Sequence, residues 1–317
     1  MNTVLLSHAL FPESFPISAP DLDIVRPPYG ECPSGAWLRE HAARADGLVS
    51  MFDQTVGAEL LDAAPRLKVI ANVGVGYNNI DTELCRARGI TVCNTPDPVT
   101  EPTAELAMAL LADAARGVSR ADRRLRAGDA RWGVMENMGE TLWGKRLGIV
   151  GMGRIGQALA RRAVAAGMRV AYYNRHRVSE TTEALYGAAY MPLDELLRTS
   201  DYLSLHTPLT SETHHLIGAS ELARCKPSAV LVNTSRGAVV DEAALVDALR
   251  RGIIAAAALD VFEFEPRLQA GLAELDNVTI VPHIGTATRT ARNAMAAQAW
   301  SNITAFFAGQ FPPNRVV

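Results

Sequence analysis

The residues best able to do chemistry lie at the ends of short apolar runs. Gly151-Met152-Gly153-Arg154-Ile155-Gly156 follows the run Leu147–Val150 and opens a stretch of helical periodicity through Leu159 and Ala163. Three glycines at that spacing, between a strand and a helix, suit a dinucleotide. The first permits a tight turn, the second lets backbone approach a pyrophosphate, and the third lets helix and strand pack closely. Phosphates then rest on free N–H groups at the positive end of the helix dipole. At the end of the next run, an NAD site usually carries a carboxylate for the ribose 2′-hydroxyl. This chain has Asn174-Arg175-His176-Arg177 there. No carboxylate is present to repel a 2′-phosphate, and two guanidiniums can bind one. NADPH is therefore the expected cofactor, with NAD possible; the alternative is a solvated basic loop.

A second constellation comes from distant positions. Val232-Asn233-Thr234-Ser235-Arg236-Gly237 ends one strand-like run, and Leu259-Asp260-Val261-Phe262 ends the next, followed by Glu263, Phe264, Glu265 and Pro266. Val281-Pro282-His283-Ile284-Gly285 ends the last. Ligands of open parallel sheets bind beyond the carboxyl ends of strands. One Arg, one Glu and one His thus converge on one crevice. The arginine can grip a carboxylate at two points. The histidine can give or take a proton near neutral pH. A neighbouring carboxylate favours its imidazolium form and orients the ring.

Elements must hold these residues in place. Strands are expected at Arg146–Val150, Arg169–Tyr173, Asp201–Leu205, Ala229–Asn233, Ile254–Leu259 and Val278–Val281, with helices at Ile155–Ala166, Leu193–Thr199, Ala219–Arg224 and Glu242–Arg251. Continuous apolar strands alternating with helices imply an α/β fold with a doubly wound parallel sheet. A weaker α/β pattern occupies the first hundred residues. Its strands are expected at Val4–Ser7, Gly47–Ser50, Leu67–Ala71 and Ile90–Val92, and its helices at Ser34–Ala45, Gly57–Ala63 and Glu83–Arg88. The proline-rich run Phe11–Tyr29 reads as an irregular connection. One long helix is expected from Glu101 to Ala127, with Ala107, Leu110, Leu111, Ala114, Ala115 and Val118 on one stripe. Another is expected from Thr290 to Phe307, stopped by Gly309.

Composition narrows the function classes. At about 150 residues per domain, 317 residues make roughly two domains. Hydrophobic residues are 48% and charged residues 21%, a globular balance that rules out disorder. The formal net charge is −3, with no basic run, which excludes nucleic acid and anionic membrane as natural partners. The longest apolar run, Ile253 to Leu259, is far short of the roughly 20 residues of a membrane span. The N-terminus lacks the pattern of a signal peptide. Cys32, Cys85, Cys93 and Cys225 form no C-x-x-C and read as reduced thiols of a cytoplasmic protein. No metal site is expected.

With these residues in view, the sequence resembles the D-isomer-specific 2-hydroxyacid dehydrogenase family, most closely its glyoxylate/hydroxypyruvate reductase branch. The matching stretches are Asn72–Asp81 (NVGVGYNNID), Gly89–Asp97, Leu147–Ala163, His206–Ile217 (HTPLTSETHHLI), Leu231–Leu245 (LVNTSRGAVVDEAAL), Ala258–Pro266 (ALDVFEFEP) and Pro282–Arg292 (PHIGTATRTAR). The resemblance implies two Rossmann-like domains. A flavodoxin-like substrate domain is split over 1–99 and 289–317, and the dinucleotide domain, 100–288, is inserted into it. It implies that Arg236 binds substrate, that His283 donates and accepts the proton, and that Glu265 is the partner of His283. Backbone N–H groups around Val75 and Gly76 would hold the substrate carboxylate. Asp260, Thr234, His206, Pro208 and Thr213 would contact or flank the cofactor, as would Thr103 and Gly285.

The implied reaction is reversible hydride transfer between a nicotinamide and the C2 of a small 2-oxo or D-2-hydroxy acid, in a homodimer. Departures from the family are also legible. Asn78 stands where many relatives have Asp. Trp132–Trp143 matches no pattern of the relatives, although the corresponding arm can reach a neighbouring subunit's site. Val75 stands where phosphite dehydrogenases carry Lys, which argues against that activity. The alternatives are a 2-ketogluconate or broad 2-oxo-acid reductase, or a dinucleotide-sensing binding protein like the corepressor relatives.

Overall fold

Apolar runs separated by helical stretches fold into two parallel sheets. The computed structural model describes residues 1–9, 20–28, 33 and 35–317. Most of the Phe11–Tyr29 run, Cys32 and the expected helix start at Ser34 lie outside the described residues. In chain order the elements begin with β1 (Asn2–Leu6), β2 (Leu22–Val25), α1 (Gly35–Ala42), β3 (Gly47–Met51), α2 (Ala58–Asp62), β4 (Val69–Val73), α3 (Thr82–Ala87) and β5 (Thr91–Cys93). They continue with α4 (Thr100–Arg116), α5 (Val118–Arg126), β6 (Arg146–Val150), α6 (Arg154–Ala165), β7 (Arg169–Tyr173), α7 (Glu180–Tyr186), β8 (Ala189–Tyr190) and α8 (Leu193–Thr199). The last are β9 (Tyr202–Leu205), α9 (Ala219–Leu222), β10 (Val230–Asn233), α10 (Glu242–Arg250), β11 (Ala256–Leu259), β12 (Val278–Ile280) and α11 (Arg289–Phe307).

The chain forms two compact units, 1–99 with 286–317, and 100–285. In the first, the described strands run parallel in the order β2-β1-β3-β4-β5. That is the flavodoxin-like order. All five residues of β4 are buried, and α11 packs across β4 and β3. β2 corrects the reading of Phe11–Tyr29 as wholly irregular: Leu22-Asp23-Ile24-Val25 pairs with β1 at the sheet edge. An edge strand beside prolines needs only one hydrogen-bonded side, which masks its signal.

The second unit has a seven-stranded parallel sheet in the order β12-β11-β10-β9-β6-β7-β8. Both faces are covered. Leu147 and Ile149 of β6 enter one core with Leu110, Leu111 and Leu159, while Val150 enters the other with Leu205, Leu231 and Leu259. Alternate side chains of a strand point to opposite faces, so burial on both makes the run continuously apolar. The order reverses at β6, whose neighbours are β7 and β9. That switch point is where such sheets bind ligands.

The long helix expected from Glu101 to Ala127 is two helices. Gly117 adopts φ 61° between α4 and α5, a left-handed conformation that ends a helix. Asp113 accepts both the Ser119 N–H (2.7 Å) and the Ser119 hydroxyl (2.9 Å), pinning the break. The buried stripe consequently stops at Ala115, and Val118 is exposed. Among the described residues, no helix is long and apolar enough to cross a membrane.

Candidate active site

The glycine turn follows β6 at the switch point. Gly151 has φ 103°, and a Cβ there would lie 2.7 Å from the His206 carbonyl group. At Gly156 a Cβ would overlap the Gly151 carbonyl oxygen, so strand and helix can approach only because that residue has none. Gly153 meets nothing within 4 Å. The outer glycines are thus required by the fold, and the middle one leaves open space at the N-terminus of α6. Gly153 is the N-cap and provides no side-chain cap, so the first turn of α6 suits an incoming anion.

The loop after β7 does two different things. The Asn174 Oδ1 accepts the Met152 N–H at 2.7 Å, fixing the glycine turn. Arg175 and His176 are exposed. Arg177 forks onto Glu183 at 2.8 and 2.7 Å, and the Tyr172 hydroxyl donates to the same carboxylate. These bonds, Arg177 first, pull the Glu183 carboxyl down to about 2. The two guanidiniums expected to be available for a 2′-phosphate therefore reduce to Arg175. The Thr210 hydroxyl and, more weakly, the charge of Arg175 lower the Glu212 carboxyl.

The ends of β9 and β10 carry buried polar atoms without partners. Burial pushes His206 down to about 4, so its ring is neutral. Its Nε2 lies 2.8 Å from the Ser204 hydroxyl, while Nδ1 has no partner among the described residues. The hydroxyls of Thr207 and Thr234 are likewise unpartnered. Orphaned polar atoms beside a glycine turn and the N-terminus of α6 fit a dinucleotide's phosphates, ribose and amide. Thr213 instead closes the turn after β9: its hydroxyl donates to the Pro208 carbonyl at 2.6 Å and accepts the Thr210 N–H at 2.8 Å. Thr103, buried in α4, lies against Gly285.

The same unit assembles Arg236, Glu265 and His283. Asn233, at the end of β10, accepts the Ser235 N–H (3.0 Å) and donates to the Arg236 carbonyl (2.9 Å). That ring orients the Arg236 guanidinium, whose Nη1 donates to the Ser235 carbonyl at 2.7 Å. Burial lowers the pKa of Arg236 while the Glu265 charge opposes it, and a guanidinium remains charged regardless. A Cβ at Gly237 would overlap the backbone of Phe262 and Glu263, so glycine is needed for β10's turn to abut the segment after β11.

His283 Nδ1 and Glu265 Oε2 are 2.9 Å apart. The other oxygen, Oε1, accepts the Phe262 N–H at 2.9 Å. Burial alone would raise the Glu265 carboxyl; the His283 bond and charge, the Phe262 N–H and Arg236 together hold it below its ordinary value. His283 has φ 51°, a backbone state that costs a non-glycine residue about 1–3 kcal/mol. Asp260 offsets that by accepting the Ile284 N–H at 2.6 Å and the Gly285 N–H at 2.8 Å. Burial raises Asp260 to about 6 against those two bonds. Glu265 thus engages the Nδ1 side of the ring and fixes its orientation. In the sequence, Asn233 stands inside a motif without a role of its own. Glu242, which accepts the Glu263 N–H at 2.9 Å, has no signal there beyond its place after Asp241.

In the other unit, Val75 and Gly76 follow β4. The Thr95 N–H, Asn94 Nδ2 and Asn72 Nδ2 donate to the carbonyls of Gly74 (3.0 Å), Val75 (2.9 Å) and Gly76 (2.8 Å). These three bonds to successive carbonyls fix the backbone of the turn.

The family model for the D-isomer specific 2-hydroxyacid dehydrogenase, NAD binding domain, matches residues 108–285. A glyoxylate reductase of Thermococcus litoralis is 49% identical over 291 residues, 90% of this chain and 88% of its own. A solved glyoxylate reductase from Paecilomyes thermophila has a TM-score of 0.89 at 33% identity, covering 99% of this chain and 98% of its own. An NADPH-dependent glyoxylate/hydroxypyruvate reductase from Sinorhizobium meliloti, solved with NADP and malonate, has a TM-score of 0.86 at 33% identity, over 100% and 97%.

Proposed function

The chain belongs to the D-isomer specific 2-hydroxyacid dehydrogenase family, and we propose that it reduces glyoxylate and hydroxypyruvate to their 2-hydroxy acids, with NADPH preferred over NADH. The observation that carries the reading is the Glu265–His283 pair, with Nδ1 and Oε2 2.9 Å apart, in the same unit as Arg236 and the glycine turn. A nicotinamide, when bound, supplies the hydride to C2. Arg236 grips the substrate's carboxylate and carbonyl oxygens and offsets the charge developing on the latter. The N–H groups at Val75 and Gly76 bind the carboxylate. Nε2 of His283 delivers a proton to the carbonyl oxygen, and Glu265 holds the ring and favours its imidazolium form. Gly151, Gly153 and Gly156 with Arg154 and Ile155 cradle the pyrophosphate, and Arg175 meets the 2′-phosphate.

A two- or three-carbon 2-oxo acid presents a carboxylate and a carbonyl and little else, which is what an arginine and a histidine such as Arg236 and His283 can engage. The names of the relatives support that substrate class. NADPH preference is supported by the lack of a carboxylate at Asn174 and by the cofactor of the Sinorhizobium meliloti relative. A homodimer is supported by the arm after α5, where Trp132, Val134, Met135 and Met138 are 62–94% exposed. The free, buried thiols of Cys85, Cys93 and Cys225 fit the reducing cytoplasm. Initial rates on a panel of 2-oxo acids with both cofactors test the proposal. Best turnover of glyoxylate and hydroxypyruvate with NADPH supports it. A clear preference for 2-ketogluconate, or no turnover of any 2-oxo acid, overturns it.

A further inference from the structure

We infer that Glu242 is a positioning residue for the Glu265–His283 pair: its carboxyl holds the backbone of the turn that delivers Glu265 to His283. The inference rests on the reaction proposed above, and it concerns a residue that touches neither substrate nor cofactor. From Asp260 to Glu265 the chain has no helix or strand to stiffen it. Two carboxylates take its successive N–H groups instead. Glu265 Oε1 accepts from Phe262 and Glu242 Oε1 accepts from Glu263, both at 2.9 Å. Gly237 closes against the same backbone, and Glu263 Oε1 lies 2.8 Å from His215 Nε2. The turn is pinned on each side, and Glu242 is the pin from α10.

Glu242 is an unfavourable residue to keep there for stability. It is 1% exposed, and its Oε2 has no partner among the described residues. Burial, together with the charges of Glu263 and Glu265, pushes its carboxyl up to about 7 despite the Glu263 N–H. The charged groups around it are Glu263 and Glu265 on the turn, Asp241 on its own helix, His215 bonded to Glu263, and Arg236 and His283 beyond Glu265. The start of α10 does not need it, because Asp241 already caps the helix by accepting the Ala244 N–H. A buried carboxyl with one oxygen unpartnered costs desolvation that an apolar residue of similar volume would not. What such a replacement removes here is the only acceptor found for the Glu263 N–H among the described residues. A turn freed by a fraction of an ångström carries Glu265 away from its imidazole.

Glu242→Gln keeps an acceptor oxygen and mimics the neutral acid, while Glu242→Leu fills the space and removes the acceptor. With hydroxypyruvate and NADPH, the Gln variant should stay within about threefold of wild type in kcat, and the Leu variant should fold but lose about ten- to hundredfold, with KM changed far less. In the Leu variant the alkaline limb of kcat/KM should move to lower pH, in the direction Glu265→Gln moves it. A folded Leu variant with wild-type kcat and pH profile overturns the inference, as does a Gln variant equally impaired. An NMR titration of the His283 ring in the same variants reads the effect without turnover. Movement in the Leu variant alone supports the inference even where the substrate reading fails. No movement refutes it even where that reading stands.

Discussion

Alanine at Arg175 should erase the preference for NADPH, and alanine at Arg177 should leave it intact. Both arginines follow β7, and sequence does not separate them; their partners do. Arg177 makes two short bonds, 2.8 and 2.7 Å, to Glu183, a carboxylate that also accepts from Tyr172. With its pKa held at about 2, Glu183 is ionised at any assay pH, so Arg177 must break a bidentate pair before it can meet a phosphate. Arg175 is exposed and needs only to swing. One charge-assisted hydrogen bond at the lower end of its usual range is worth a factor of about ten. Screening at a Debye length of about 8 Å reduces this as salt rises. The assay is kcat/KM with NADPH and NADH, at low and high salt, for wild type and three variants. Arg175→Ala should lose about tenfold with NADPH and change little with NADH. Arg177→Ala should keep the wild-type ratio. Glu183→Gln should release Arg177 and raise the ratio. Loss of the preference in Arg177→Ala with Glu183 intact would refute this partition, and equal use of both cofactors by the wild type would refute the role of Arg175.

The glycine turn offers a split between stability and binding: Gly156→Ala should lower the melting temperature, since its Cβ overlaps Gly151, whereas Gly153→Ala should fold normally and raise the KM for the dinucleotide. His283→Ala should lower kcat by about 10²–10⁴. Glu265→Gln should move the alkaline limb of kcat/KM for reduction to lower pH. The sign follows because a carboxylate that His283 holds below its ordinary value must favour the imidazolium in return, so without it the proton is lost earlier. Light scattering should report twice the monomer mass, and Trp132→Ser with Met135→Ser should shift the equilibrium toward monomer.

The sequence made the second unit legible because its strands are buried on both faces and need no alternation to be seen. Leu147–Val150 followed by three glycines leaves little choice of structure. β8 escaped notice because two residues, Ala189 and Tyr190, carry no pattern. The break at Gly117 is not legible because a glycine inside a long apolar stripe is often tolerated, and the Asp113–Ser119 bonds that pin the break are side-chain contacts that spacing does not show. The chemistry-bearing types Arg, Glu and His could be picked from strand ends. The side chains that orient them could not. Periodicity does not say that Asn233 closes a ring onto Arg236 three residues on, that Arg177 engages Glu183 six residues on, or that Glu242 reaches a backbone N–H 21 residues away. The first two depend on rotamers within a turn and the third on packing of separate elements, and hydrophobic spacing encodes neither.

Reduction of a small 2-oxo acid by Arg236, Glu265 and His283 is tested most directly by its product. Hydroxypyruvate incubated with the enzyme and NADPH should yield D-glycerate, identified by chiral chromatography, with His283→Ala leaving the hydroxypyruvate essentially unreduced. L-glycerate, or equal glycerate from wild type and His283→Ala, would contradict the account.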